Sequence, residues 1–301
     1  MCIMNQKNLG IIGIIIAVGI IILFTYQTSP EVEKPSLDSL LELSLIELEE
    51  VSSSSDKWKT FSSDKYELFY VYFDKNKFRL GPDGVKIVES FNYVPKKELK
   101  KTYEEIGLFN ESQNTVVIVP TFTVNAYSEP GFYNYYYNIC DKKCLTVSIQ
   151  DRTFGYTSSK SGVDILKFLQ YEMITDVDVD KNPDILKNYD KVIVLHNEYV
   201  TKTEFDAITS HPKVIYLYPN ALYAEINVDY QTNTMTLIRG HNYPESNILN
   251  GFDWEYDNSS MEIDCTKWEF YEISNGFMLN CYPELGPLLN DVEFYKKLKD
   301  L

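Results

Sequence analysis

The sequence is short of basic residues, of tryptophan and of long apolar runs. Its 28 lysines and arginines face 44 aspartates and glutamates, a net charge of -16. Binding a nucleic-acid backbone needs a concentrated basic face, so this balance argues against nucleic acid as a partner. It fits a solvated exterior that repels like charge. Beyond one N-terminal segment no stretch is apolar enough for a membrane span, which excludes a multi-span membrane protein. A 44% apolar content excludes a wholly disordered chain. About 270 residues follow the N-terminal segment, enough for one large domain or a domain with an appendage. Tryptophan occurs 3 times against 24 tyrosines and 16 phenylalanines. Tyrosine is therefore the residue to follow, as core filler or as a source of phenol groups.

Familiar catalytic signatures are missing. The chain has no G-x-S-x-G elbow, no G-x-x-x-x-G-K-[ST] phosphate loop, no G-x-G-x-x-G and no H-E-x-x-H.

What is present begins at Leu9 to Phe24, 16 residues without a charge, which Thr25 and Tyr26 extend to 18. As a helix this is about 27 Å long, the lower end of a span. No small-residue cleavage motif follows it. Residues 9–26 read as an uncleaved signal anchor, with a cleaved signal peptide as the alternative. Lys7 precedes the segment, and Glu31 and Glu33 follow it. That places residues 1–8 in the cytoplasm and the bulk of the chain outside, in a single-pass cell-membrane protein.

Apart from Cys2, the cysteines fall into two local pairs, Cys140 with Cys144 and Cys265 with Cys281. Two disulfides are expected of an exported domain. Free thiols, or a zinc site built from all four, are the other readings. Sequons stand at Asn110 and Asn258.

Residues 27–64 read as a stalk. Leu37, Leu40, Leu41, Leu45 and Leu48 recur at helical spacing among acidic residues, and Ser52 to Ser55 follow as a tether. Packing of this helix on its own domain is favoured over packing on a partner. The extracytoplasmic domain is expected over 65–301. Strands are predicted at 67–73, 85–91, 115–120, 145–149, 191–195 and 213–218. Helices are predicted at 95–107, 162–171, 201–210 and 292–298, the third with a capping box of Thr201 and Glu204. Residues 221–228 and 234–238 read as a β extension, and 265–282 as a hairpin turning at Asn275-Gly276. Short apolar strands alternating with helices, with the core over about 115–225, argue for an α/β fold. Its sheet would be mostly parallel, with helices on both faces.

In such sheets ligands collect at the carboxyl ends of the strands. That rule gathers Tyr127, Asp151, Arg152, His196, Glu198, Tyr199 and Asn220 on one rim. His196 and Glu198, two residues apart at a strand exit, could ligate one metal or act as base and orienting partner. The competing reading has Glu198 capping the helix at 201–210 and His196 satisfying a backbone carbonyl. Asp151 and Arg152 could equally form a structural ion pair. Tyr127 and the run Tyr133, Tyr135, Tyr136 and Tyr137 read mainly as packing, and His211 and His241 as loop residues.

Four stretches in order carry a family resemblance. They are Asn125-Ala126-Tyr127-Ser128 with Gly131 and Tyr133, Val147 to Phe154, Thr175 to Asp180, and His196-Asn197-Glu198-Tyr199 followed by Asn220-Ala221. Over about residues 115–225 the chain resembles the C-terminal domain of the large (β) subunit of N,N-dimethylformamidase. That domain has a class I glutamine-amidotransferase-like, flavodoxin-like fold. The chain is also similar to uncharacterised membrane-anchored proteins of ammonia-oxidising archaea. Amidotransferase-like sheets place a nucleophilic cysteine at a strand-to-helix elbow, and Val194 to Tyr199 contains none. The resemblance instead implies an iron ion, zinc being the second choice, held by two tyrosines and a glutamate. Glu198 and Tyr127 would be ligands and His196 a nearby base. The position expected for the second tyrosine is Phe154, which cannot ligate, and Tyr156 is the nearby substitute. Ser128 and Val200 also depart from the pattern. Two functions follow as expectations: a metal-dependent hydrolase of amide or other C–N bonds, with Asp151 and Arg152 as further site residues, or a non-catalytic module. The module would bind a small molecule or envelope ligand, or be a structural part of the cell envelope.

Overall fold

Apolar residues that bury both faces of a strand build the centre of the molecule. In Thr115–Val119 every side chain is buried. Val116 and Ile118 face one layer of helices, and Val117 and Val119 face the other. The computed structural model describes residues 34–53, 58–61, 66–76, 78–80, 86–88, 91–109 and 114–301. The expected anchor at 9–26 and the sequon at Asn110 lie outside these residues. Among the described residues no helix is long and apolar enough to cross a membrane.

Residues Ser36–Leu301 form one unit. Its first elements are α1 (Leu37–Ser53), β1 (Trp58–Phe61), β2 (Phe69–Asp74), β3 (Phe78–Leu80), β4 (Lys86–Val88), β5 (Phe91–Pro95) and α2 (Lys100–Ile106). Then come β6 (Thr115–Val119), α3 (Thr121–Ala126), α4 (Phe132–Tyr136), β7 (Thr146–Ser148), α5 (Lys160–Phe168), β8 (Glu172–Thr175) and α6 (Asp176–Lys181). β9 (Lys191–Val194), β10 (Tyr199–Thr201), α7 (Lys202–Ser210), β11 (Val214–Tyr216), β12 (Ala224–Asp229) and β13 (Thr234–Arg239) follow. β14 (Phe270–Ile273), β15 (Gly276–Leu279), α8 (Pro287–Asn290) and α9 (Val292–Asp300) complete the chain.

The central sheet has the order β14-β15-β11-β9-β6-β8. All its pairings are parallel except that of the edge strand β14 with β15. One face is covered by α2, α5, α8 and α9 through Ile106, Leu166, Leu288 and Phe294, and the other by α6 and α7 through Val179 and Ile208. The fold is therefore mixed α/β with helices on both faces of the large sheet. Leu37 and Leu41 of α1 pack into the first of these cores, so that helix docks on its own domain.

One expectation changes. The strand at 145–149 does not join the parallel sheet. It appears as β7 in a second sheet of order β10-β12-β13-β7, antiparallel to β13. β7 buries only Val147, between the exposed Thr146 and Ser148. That one-sided pattern suits a sheet covered on a single face. The hairpin expected at 265–282 is present as β14 and β15, and β15 also runs parallel to β11 inside the large sheet. Glycine makes this approach feasible. At Gly276 φ is +155°, and a Cβ would lie 1.8 Å from the Val214 carbonyl oxygen.

Disulfides join Cys140 to Cys144 and Cys265 to Cys281, with Cα separations of 6.0 and 5.0 Å. This removes the four-cysteine zinc reading and matches the cysteine usage of an extracytoplasmic domain. Asn258 is buried, and its amide donates to the Tyr218 carbonyl at 3.2 Å. The folded chain therefore hides that sequon.

The carboxyl edge of the sheet also buries acids. Glu284 accepts from the Ser161 amide at 2.7 Å and from the Tyr218 hydroxyl at 2.5 Å. Burial nevertheless pushes its carboxyl up to about 7. Glu204 gives its backbone N–H to the Thr201 hydroxyl, but its carboxylate does not complete the capping box and is pushed well up, by burial first. A carboxyl raised in the folded state contributes stability that is full below its unfolded value and is lost as pH rises through the folded one. Stability should therefore fall between about pH 4.5 and about pH 7. Glu284→Gln should flatten this fall by an amount on the order of 3 kcal/mol. Urea denaturation across that pH range measures it; an unchanged slope would contradict the assignment.

Candidate functional site

In the large sheet the chain runs from β6 outward to β8, then returns to place β9 on the other side of β6 and continues through β11 to β15. The reversal falls between β6 and β9. The crevice at the carboxyl ends of such a pair is the ligand position of open α/β sheets.

The turn leaving β9 is pinned from three directions. Ser159 Oγ accepts from the His196 N–H at 2.8 Å, and Thr123 Oγ1 accepts from the Glu198 and Tyr199 N–H groups at 3.0 and 3.3 Å. The carbonyls of Asn197 and Glu198 accept from the N–H groups of Leu222, Tyr223 and Ala224. With its backbone satisfied this way, the turn can be buried, and Glu198 is 0% exposed.

Three side chains meet at Glu198. Tyr127, the residue after α3, donates its hydroxyl to Glu198 Oε2 at 2.6 Å. His241 Nε2 donates to Oε1 at 2.6 Å, which fixes the proton on that nitrogen. Tyr133 of α4 lies 3.1 Å from the Tyr127 hydroxyl and 3.5 Å from Glu198 Oε1. The Tyr127 and Tyr133 rings stack at 4.7 Å. The His241 ring stacks between Tyr136 and Tyr199, at 4.8 and 5.5 Å. It arrives on a left-handed turn after β13, where Gly240 has φ +120° and His241 has φ +51°. A Cβ on Gly240 would press on Ala224 at 3.0 Å, so the turn can close on β12 only with glycine there.

Burial drives the Glu198 carboxyl up. The charge and hydrogen bond of His241, followed by the Tyr127 hydroxyl, outweigh it and hold the group below the usual carboxylate range. Burial first, then the Glu198 charge, pushes both the Tyr127 and the Tyr133 phenols up. The centre therefore rests as a carboxylate surrounded by neutral phenols.

His196 sits beside this group with its ring 6.4 Å from that of Tyr127 and 5.5 Å from that of Tyr282. Its Nδ1 lies 2.7 Å from the Thr157 carbonyl, which can only accept, so Nδ1 carries the proton. Nε2 is left with a lone pair, buried and without a hydrogen-bond partner among the described residues.

The expected rim thus divides. Tyr127 and Glu198 come together, His196 stands next to them, and Asn220 reaches the edge through its bond to Glu262 at 2.8 Å. Glu198 does not cap α7, a role filled by Thr201. Tyr199 is core, packed on Phe132 and His241. Tyr156 lies outside the cluster, because its hydroxyl donates to Asp264 at 2.8 Å. Asp151 is exposed. Arg152 turns its Nε to Asn125 at 2.8 Å, so it braces the loop after β7 rather than pairing with Asp151. Tyr133 and His241 are the additions. Tyr133 carried a signal, six residues beyond Tyr127 within the same resembling stretch. His241 carried none, since a lone histidine between strands has no pattern to betray it.

No protein-family model matches the chain, and no curated protein matches it.

Removing the shared acceptor should cost far more than removing one donor. Glu198→Ala takes the shared acceptor from His241 and leaves Tyr127 only its contact with the Tyr133 hydroxyl, and it should lose about 3 kcal/mol or more. Tyr133→Phe removes only longer contacts and should lose about 1 kcal/mol. Equal losses in urea denaturation would contradict Glu198 as the hub.

Proposed function

We propose that Glu198, Tyr127, Tyr133 and His241 hold one metal ion, iron first and zinc second, in a hydrolase of amide or other C–N bonds. The domain would be carried outside the cell on the segment 9–26. The observation that carries the reading is the convergence of two phenols and an imidazole on one buried carboxylate. Contacts of 2.6 Å between electronegative atoms need a proton or a cation between them. Three oxygens and an imidazole nitrogen are a donor set suited to iron or zinc. The resemblance to the dimethylformamidase large subunit supports the reading, with Tyr133 supplying the second tyrosine where Phe154 cannot.

When bound, such an ion would polarise a carbonyl and acidify water. The chain's own residues would do the rest. Glu198 supplies a fixed negative charge. The two phenols, held neutral by burial, would give up their protons only to a cation. His196 Nε2, its tautomer set by Thr157, would accept the proton of an attacking water. Ser159 and Thr123 pin the elbow backbone, so the base is held in place without help from substrate.

A second reading has its own support. The cluster is hydrogen-bonded within itself, which suits a rigid module that binds a ligand without reacting. Metal content separates the two. After incubation with ferrous iron or zinc, the full-length chain should hold about one ion. Glu198→Gln should abolish it, Tyr127→Phe and Tyr133→Phe should lower it, and Tyr156→Phe should leave it unchanged. A folded parent that holds no ion would overturn the hydrolase and leave the binding module.

A further inference from the structure

We propose that the mouth of this cleft binds a small organic cation that donates hydrogen bonds, a primary ammonium or an amidinium, between Glu262, Asn220 and His196. The inference rests on the cleft being a ligand site, but not on a metal within it.

The mouth is closed on one side by the segment 258–265. Asn258 ties its start to the Tyr218 carbonyl, and Tyr282 donates its N–H to the Ile263 carbonyl at 2.7 Å. The Cys265–Cys281 disulfide holds its end. This segment presents Glu262 to the strand exits, where the Asn220 amide donates to its carboxylate at 2.8 Å. Among the described residues neither Glu262 nor Asp264 forms an ion pair with a lysine or arginine.

Two buried acceptors, on the exits of the neighbouring strands β9 and β11, have nothing to accept. Asn220 is 6% exposed, gives its amide to Glu262 and leaves Oδ1 without a partner. His196 is 1% exposed and leaves the Nε2 lone pair free. A buried polar atom without a partner is costly, and its persistence at a ligand position points to a group that fills it on binding. A carboxylate, a carbonyl oxygen and an imidazole lone pair offer no proton, so the group that fits must bring several. The aromatic rings of Tyr282 and Tyr127 flank His196 and give such a cation a favourable wall.

Calorimetric titration of the full-length chain in detergent would use three probes of equal length: n-butylammonium, butyramide and butyrate. The proposal expects n-butylammonium to bind about tenfold or more tighter than butyramide, and butyrate not to bind. Glu262→Gln should weaken n-butylammonium at least about fivefold, a figure kept low because this carboxylate is partly solvated. Asn220→Ala should weaken it as well. Asp206→Asn, which removes one surface charge elsewhere, should change nothing. Equal binding of n-butylammonium and butyramide, or unchanged binding in folded Glu262→Gln, would overturn the proposal. Cation binding by a chain that holds no iron or zinc would sustain it while removing the hydrolase reading. Metal binding without cation preference would do the reverse.

Discussion

One buried negative charge organises this molecule. Taking a carboxylate out of water costs several kcal/mol unless its lone pairs are used and an opposite charge stands near. Glu198 meets that condition only by drawing on distant parts of the chain. Tyr127 comes from the end of α3, Tyr133 from α4, His241 from the turn after β13, and its own backbone is held by Thr123. These elements belong to the large sheet, to the second sheet and to the segment between them. The same contacts that make the charge tolerable therefore join the two sheets at the point where the large sheet reverses direction.

The backbone around the charge is correspondingly unusual. Ser159, Asn220, Leu222 and His241 all have φ between +51° and +61°, a left-handed conformation that side chains with a Cβ rarely adopt. Each sits where a neighbouring bond depends on it: Ser159 accepts from His196, Asn220 reaches Glu262, Leu222 donates to Asn197, and His241 reaches Glu198. Costs of this kind persist where surrounding structure enforces them, and they concentrate at functional sites. The pinned elbow and the unfilled acceptors at its mouth fit a site prepared in advance for a ligand.

Much of the architecture was legible in the chain. The apolar runs at 115–119 and 191–194 are short, rich in valine and isoleucine, and buried on both faces, as strands inside a doubly covered sheet must be. Thr201 announces α7 by its capping role. The reach of long-range pairing was not legible. β7 reads like the other apolar strands, yet its partner β13 lies almost ninety residues later, Thr236 pairing with Thr146, and periodicity carries no partner information. The site divides the same way. Glu198 and Tyr127 were found because strand exits collect ligands and because two of the resembling stretches contained them. Tyr156 was favoured on closeness in sequence, but the 3-10 turn at Tyr156–Ser158 sends it toward Asp264. His241 depends on a glycine-led turn and on four aromatic neighbours, Tyr133, Tyr136, Tyr199 and Tyr223, and no local pattern encodes that convergence.

The account stands or falls on whether Glu198 and its partners form one ion-binding centre. Diffraction from crystals of the protein grown with iron, recorded at the iron absorption edge, tests this most directly. The account predicts a single strong anomalous peak enclosed by the Glu198 carboxylate, the Tyr127 and Tyr133 hydroxyls and His241 Nε2. A map with no peak there, and with Tyr127 and His241 still hydrogen-bonded to Glu198, would contradict it.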